Sequence, residues 1–372
     1  MSSLGQSFSD HSPEDEFATP VGEEHVRFVR NFNDIFLSMG ILMFAIGLAF
    51  IAMVTITPLA GPPELFDTDG NFVGGARFVF IAGSVFLVCA LIMWGLGEIV
   101  ARKRRMFLPA IVVLLTFTTF MVLAAAGFYL SIEASSAVEK IQENGFRGGS
   151  LLNLANQFKT MPLVLFTVAT FSVLAFYIRT KLPFAMGVGS AAFAGVVISF
   201  LFMFKPHLVV GNFWVIAFLS GAFLFLLGMF FDARDPLRQT RFADNGFWLH
   251  FLAGPVIFFS VMAMTVGVGG AVNSGSAIVT LIIVSVFAVI SLLINRRALL
   301  VSGILSAVGA VLQLVGGGST GGVMALGITF FVLGSAIVIL GSAWSSLRRI
   351  LIAPFPKSGF IARIIPPETV ID

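Results

Sequence analysis

The chain has 372 residues, 58% of them apolar and 11% charged, with a mean hydropathy of +1.00 and a formal charge of +3. A soluble domain carries about 25% charged residues, so this chain lacks the charge to cover a water-facing surface, and lipid as the outer solvent resolves the mismatch. The mild charge argues against nucleic acid, and the lone Cys89 excludes an intrachain disulfide framework and a cysteine zinc site.

Residues 1–33 read as a cytoplasmic N-terminal tail. They are acidic (Asp10, Glu14, Asp15, Glu16, Glu23, Glu24) and lack the basic start and short apolar core of a signal peptide. The first apolar segment is therefore expected to stay in place as a span. Within the tail, Glu23 to Phe32 suits a short interfacial helix, with Val26, Val29 and Phe32 near one face and Glu23 spaced i,i+4 from Arg27.

A spanning helix needs about 20 mostly apolar residues. Ten segments qualify: Asp34–Ala60, Phe78–Val100, Phe107–Ser131, Met161–Ile178, Phe184–Phe204, Asn212–Phe231, Gly246–Val268, Ala277–Ile294, Ala298–Gly316 and Val323–Ser346. Barrel strands would alternate polar and apolar residues over about 10 positions; these runs are apolar all round. The fold class that follows is an all-α polytopic bundle of about ten spans, with both termini inside. The bundle occupies 34–347, and 348–372 form a cytoplasmic C-terminal tail.

Basic residues orient the bundle. Seventeen fall on one side: Arg27, Arg30, Arg102, Lys103, Arg104, Arg105, Arg179, Lys181, Arg234, Arg238, Arg241, Arg296, Arg297, Arg348, Arg349, Lys357 and Arg363. Five fall on the other: Arg77, Lys140, Arg147, Lys159 and Lys205. The positive-inside rule makes the first side cytoplasmic. Trp94, Trp214, Trp248 and Trp344 fall near segment ends, where an interfacial aromatic belt is expected.

Two outer pieces remain. Gly61–Gly75 is a Gly- and Pro-rich loop. The second, 132–160 between spans 3 and 4, is longer, and Ser135 to Asn144 suits a separate short helix stopped at Gly145. Lys205, Pro206 and His207 read as a snorkelling turn at the end of the fifth span. The segment Ile178 to Ala191 can be laid over Ile294 to Ala307, four spans later, as a parallel internal repeat. Small residues Gly187, Gly189, Ser190 and Gly195 in the fifth span, and Gly303, Ser306 and Gly309 in the ninth, would permit close helix approach.

Chemistry-bearing groups are few. There is no Lys-containing phosphate loop, no nucleotide fingerprint and no zinc-type His pair. The Gly-rich turn Gly316–Gly322 reads as a tight connection. No catalytic constellation, metal set or cofactor is expected. Ionisable residues in spans are the default place to look for function. Glu98 lies in the last turn of the second span, near Arg102, and His250 lies one turn into the seventh, ahead of Pro255. The loop between spans 6 and 7 carries Asp232, Arg234, Asp235, Arg238, Arg241 and Asp244. Asp235-Pro236 favours a turn, and Asp244 suits an N-cap of span 7. Together Glu98, Arg102, Asp232, Arg234, Asp235, Arg238, Asp244 and His250 form the candidate polar cluster of the cytoplasmic face.

Phe32-Asn33-Asp34 opening the first span, Gly97-Glu98 followed by Arg104-Arg105-Met106 and Pro109, and Asp235-Pro236 followed by Phe247-Trp248-Leu249-His250 together resemble a bacterial family of multi-spanning membrane proteins of unknown function. The resemblance implies a bacterial inner membrane and no particular activity. The expected partners are the lipid bilayer and other membrane-protein subunits. Two functions fit: a structural or accessory subunit or assembly factor of a membrane complex, and a transporter of a small, largely apolar or neutral molecule. An intramembrane enzyme fits less well, because no nucleophile, base and metal set is visible.

Overall fold

The computed structural model describes residues 32–61, 75–144, 158–235, 238, 240–267, 274–316, 322–356 and 365. The expected helix over Glu23 to Phe32, nearly all of the loop Gly61–Gly75 and the centre of the turn Gly316–Gly322 lie outside the described residues, except that Phe32 opens the first helix. Among the described residues the backbone is helical, without strands.

Twelve α-helices follow in chain order: α1 Phe32–Ala60, α2 Ala76–Gly97, α3 Phe107–Asn144, α4 Met161–Thr180, α5 Pro183–Phe204, α6 Pro206–Gly211, α7 Phe213–Arg234, α8 Arg241–Thr265, α9 Ser274–Ile294, α10 Val301–Gly316, α11 Val323–Ser342 and α12 Trp344–Ile352. Among the described residues nine are long and apolar enough to cross a bilayer, which makes the chain a polytopic helical membrane protein. Helix is the form such segments must take, since lipid satisfies no backbone N–H or C=O.

All ten expected segments are helical, and the ninth is unusual. A 3-10 turn, Arg297–Leu300, leads into the 16 residues of α10. At about 2.0 Å per residue for the turn and 1.5 Å for the helix, the pair rises about 32 Å. That is close to a hydrocarbon core about 30 Å thick, but only the 16 residues of α10 are α-helical, and the segment stands outside the nine long apolar helices.

Four boundaries differ from expectation. The helix expected over Ser135–Asn144 is the unbroken end of α3, because Ser131 and Ser135 turn their hydroxyls back onto the carbonyls of Phe128 and Ser131 instead of capping a new helix. The expected turn at Lys205 continues into the short α6, with Pro206 at its first position. Helix α8 begins at Arg241 rather than near Gly246. The last span stops at Ser342, and after Ala343 the separate α12 buries Trp344 and Arg348 while leaving Ile350 exposed.

Helices α1 to α4 share one core around Met93, Val113, Leu114, Val173 and Phe176, all essentially inaccessible. Helices α7 and α8 enclose a second core of Leu224, Phe231, Leu249 and Ala253. Helix α5 joins the two groups: the face of Gly187 lies against the Trp248 carbonyl and the Leu252 side chain of α8. The outward faces of α1 and α11 expose large side chains such as Phe36, Met43, Val54, Phe330 and Phe331, as lipid contact requires. Trp248 is buried between Phe107 and Phe184, and Trp94 packs on Phe117 and Phe176.

Close helix approach concentrates where the small-residue reading did not look. Helices α2 and α3 touch backbone to backbone at Gly83 and Gly127, where a β-carbon on Gly127 would come within 2.6 Å of the Gly83 Cα. Of the expected positions, Gly187, Gly189 and Gly195 do receive neighbours closely, Gly303 makes only ordinary contact, and Gly309 faces open space.

Candidate functional site

Charged side chains meet at one end of the bundle, and the structure sorts the expected cluster into two separate groups. The outer group sits on Glu98. Here the C-terminal end of α2 widens into a π-helical segment, Glu98–Lys103, closed by the Arg104 N–H donating to the Ile99 carbonyl at 3.0 Å. Arg179 at the end of α4 donates to Glu98 through Nε at 2.5 Å and through a terminal nitrogen at 3.3 Å. Arg102, one turn on, donates at 3.2 Å. All three side chains are partly exposed.

The inner group is built on α7, α8 and the end of α9. Asp232, in the last turn of α7, is buried. Its carboxylate accepts from both forks of Arg296, with Nε at 3.1 Å from Oδ2 and a terminal nitrogen on Oδ1. His250 of α8 lies 3.0 Å from Oδ2 through Nε2. Donation to the carboxylate assigns the ring proton to Nε2. The other ring nitrogen, Nδ1, is buried and has no hydrogen-bond partner among the described residues. Arg296 also donates to the Ala243 carbonyl at 3.0 Å, so one guanidinium ties the ends of α7, α8 and α9 together.

Local sequence explains how three polar side chains fit between apolar helices. Gly228 lies one turn before Asp232, and Gly246 lies one turn before His250. The helices run antiparallel, so each polar side chain lies over the glycine of the other. A β-carbon on Gly228 would stand 2.9 Å from the His250 ring, and one on Gly246 would overlap the Asp232 carboxylate. One further step along the same contact, Gly221 faces Ile257. Phe225 meets the edge of the His250 ring at a centroid distance of 5.0 Å. The site is therefore a polar knot in a small-residue seam.

The described residues of the adjoining loop are held by their own polar side chains. Asp235 accepts from the Thr240 N–H at 2.7 Å and hydroxyl at 2.6 Å. Thr240 in turn caps α8 by accepting from the Phe242 N–H at 3.2 Å. Thr240 thus takes the role expected of Asp244, which sits within the first turn of α8. A hydroxyl already positioned by a buried carboxylate outcompetes a residue four places on. Arg238 donates to the carbonyls of Ile294 and Asn295 at 2.8 and 2.7 Å, capping the C-terminus of α9 where the helix dipole favours a cation. The end of α9 is closed further by Ser291, which donates to the Arg296 carbonyl at 2.5 Å and accepts from its N–H at 2.9 Å. Arg234 lies apart from the knot, stacked 4.1 Å over the Phe230 ring.

Of the eight expected residues, Asp232 and His250 meet in the knot, Asp235 and Arg238 order its border, and Glu98 and Arg102 form the outer group. In the sequence Arg179 and Arg296 stand out only as orienting charge, yet in the structure each is the main counter-ion of its group. The Gly-x-x-x-Asp and Gly-x-x-x-His spacings of α7 and α8 are the local signal that could have found the inner pair.

The two groups also correspond. In each, a carboxylate at the end of one span pairs with an arginine at the end of the span two later: α2 with α4, then, four spans on, α7 with α9. This is the offset at which the sequence shows its faint repeat. The turns themselves differ: Lys181 adopts positive φ in the first, and Asn295, two alignment positions earlier, does so in the second. Among the described residues no three His, Cys, Asp or Glu side chains converge as a metal site. Comparison with protein-family models, with curated proteins and with solved structures returns no match, so the meaning of the site rests on its own geometry.

Proposed function

We propose that this chain is a structural or accessory subunit of a membrane complex in the bacterial cytoplasmic membrane, with both termini in the cytoplasm. One observation carries the subunit reading: the two carboxylates with most potential for chemistry, Glu98 and Asp232, are each gripped by two basic side chains of the same chain. Such pairing within one chain holds helices together. The seventeen-to-five distribution of basic residues supports the orientation. The resemblance carried by Gly97-Glu98 and Phe247-Trp248-Leu249-His250 supports the bacterial placement. Extraction of the full chain in mild detergent is expected to bring down a stoichiometric membrane partner, and a fluorescent protein fused after Asp372 is expected to fold and fluoresce inside the cell. A dark fusion that is active as a periplasmic reporter would overturn the orientation.

The second reading is transport of a small neutral or apolar molecule coupled to protons. The partnerless Nδ1 of His250 beside a buried carboxylate favours it. Purification as a lone monomer, together with proton-dependent uptake into proteoliposomes that His250→Gln abolishes, would establish this reading in place of the first.

A further inference from the structure

The π-helical end of α2 leads into the densest run of basic side chains in the molecule. Arg102, Lys103, Arg104 and Arg105 are all exposed, and Arg105 adopts φ +51° to turn the chain into α3. Arg102 is held by Glu98. Lys103, Arg104 and Arg105 have no ion pair among the described residues. A π-helical turn adds a residue relative to an α-helical one and so shifts the direction of the side chains that follow it. The Glu98 contact brings the end of α4 alongside, adding Arg179 and the exposed Lys181. The patch therefore sets six cationic groups against one carboxylate, and that carboxylate is already neutralised.

The chain beside these cations is apolar and exposed. Ile99 on the π turn, with Leu174 and Ile178 on α4, are exposed apolar side chains. Exposed cations, three of them without an ion pair among the described residues, next to exposed apolar side chains at the ends of two spans suit a phospholipid with an anionic headgroup. The phosphate lies against the cations and the acyl chain against the apolar side chains. Basic clusters next to a span attract such lipids. A zwitterionic headgroup brings its own ammonium to the same place and gains far less.

We propose that the surface formed by Lys103, Arg104 and Arg105 with the end of α4 is a binding site for anionic phospholipid. The inference needs only that the chain spans a membrane, and it stands whether the protein is a subunit or a transporter. The test is native mass spectrometry of the full chain in detergent, titrated with phosphatidylglycerol or with phosphatidylcholine. Each basic residue near an anionic surface contributes about a fivefold factor in affinity. Wild type is expected to retain phosphatidylglycerol at least tenfold more tightly than phosphatidylcholine. Lys103→Gln/Arg104→Gln/Arg105→Gln is expected to abolish that preference. Arg77→Gln/Lys205→Gln/Arg241→Gln, which removes the same charge elsewhere, is expected to keep it. Equal retention of the two lipids by wild type, an unchanged preference in the first variant, or equal losses in both variants would overturn the proposal. If the first variant fails to accumulate, wild type decides alone: raising salt should erase the preference, since screening acts within a Debye length, and a salt-independent preference would overturn it.

Discussion

Replacing Arg296 by methionine is expected to destabilise the bundle by about 3–5 kcal/mol, the typical effect of removing one partner of a buried ion pair. The size follows from what is left behind. Asp232 is buried, and without the guanidinium its carboxylate keeps, among the described residues, the His250 Nε2–H as its side-chain partner. The Ala243 carbonyl, inside the first turns of α8, loses its second donor at the same time. Asp232→Asn/Arg296→Met removes both charges and is expected to recover most of the loss, because a neutral pair of similar volume escapes the desolvation penalty. The measurement is unfolding of purified protein by dodecyl sulfate, followed by tryptophan fluorescence. Trp344 is well placed to report, since its Nε1–H donates at 2.8 Å to Asn295, the residue before Arg296. If the double variant is as unstable as Arg296→Met alone, the pair is not what ties α7 to α9.

The second large effect is expected at a residue with no side chain. Gly127→Ala should cost about 1–3 kcal/mol through overpacking. The added methyl would meet the Gly83 Cα at 2.6 Å, and the Gly83 nitrogen and Val79 carbonyl at 2.7 Å. All three are backbone atoms, so no rotamer change relieves the contact and the helices must move apart. Gly47→Ala in α1 is the matched comparison. Nothing lies within 4 Å of its added carbon, so the better helix propensity of alanine should leave stability unchanged or raise it by up to about 1 kcal/mol. The only cysteine offers the readout: Cys89 is buried in the core shared by α1 to α4. Heating in the presence of a thiol-reactive dye should label Gly127→Ala at a lower temperature than wild type and Gly47→Ala at the same or a higher one. Equal labelling curves for Gly127→Ala and wild type would mean that the Gly83–Gly127 crossing does not set the strength of the α2–α3 contact.

Both predictions rest on residues the sequence alone ranks poorly. Hydrophobic length is a local property and is readable one segment at a time, so the nine long spans were legible, while the segment of α10 is shorter than its apolar run suggested. Helix termini were less so. The start of α8 depends on Thr240, and Thr240 is held by Asp235, a contact that only the folded loop defines. The carboxylates and His250 stood out because charge within an apolar run is rare. Their counter-ions did not, because Arg179 and Arg296 belong to a set of seventeen basic residues whose ordinary task is orientation. Glycine was hardest to rank. Gly309 and Gly127 look alike in sequence, and only the helix that crosses each one separates open space from a backbone contact.

The apolar runs by themselves determined that this is a helical membrane protein, since lipid leaves a long apolar segment no other way to satisfy its backbone. The tertiary structure alone decided which charges meet. It set Asp232 against Arg296 and His250, well separated from them in sequence, and Glu98 against Arg179. The physical reason is that an ion pair depends on the rotation and register of two packed helices. In this chain glycines at the contacts fix both, and a glycine's neighbour is not written in its own segment.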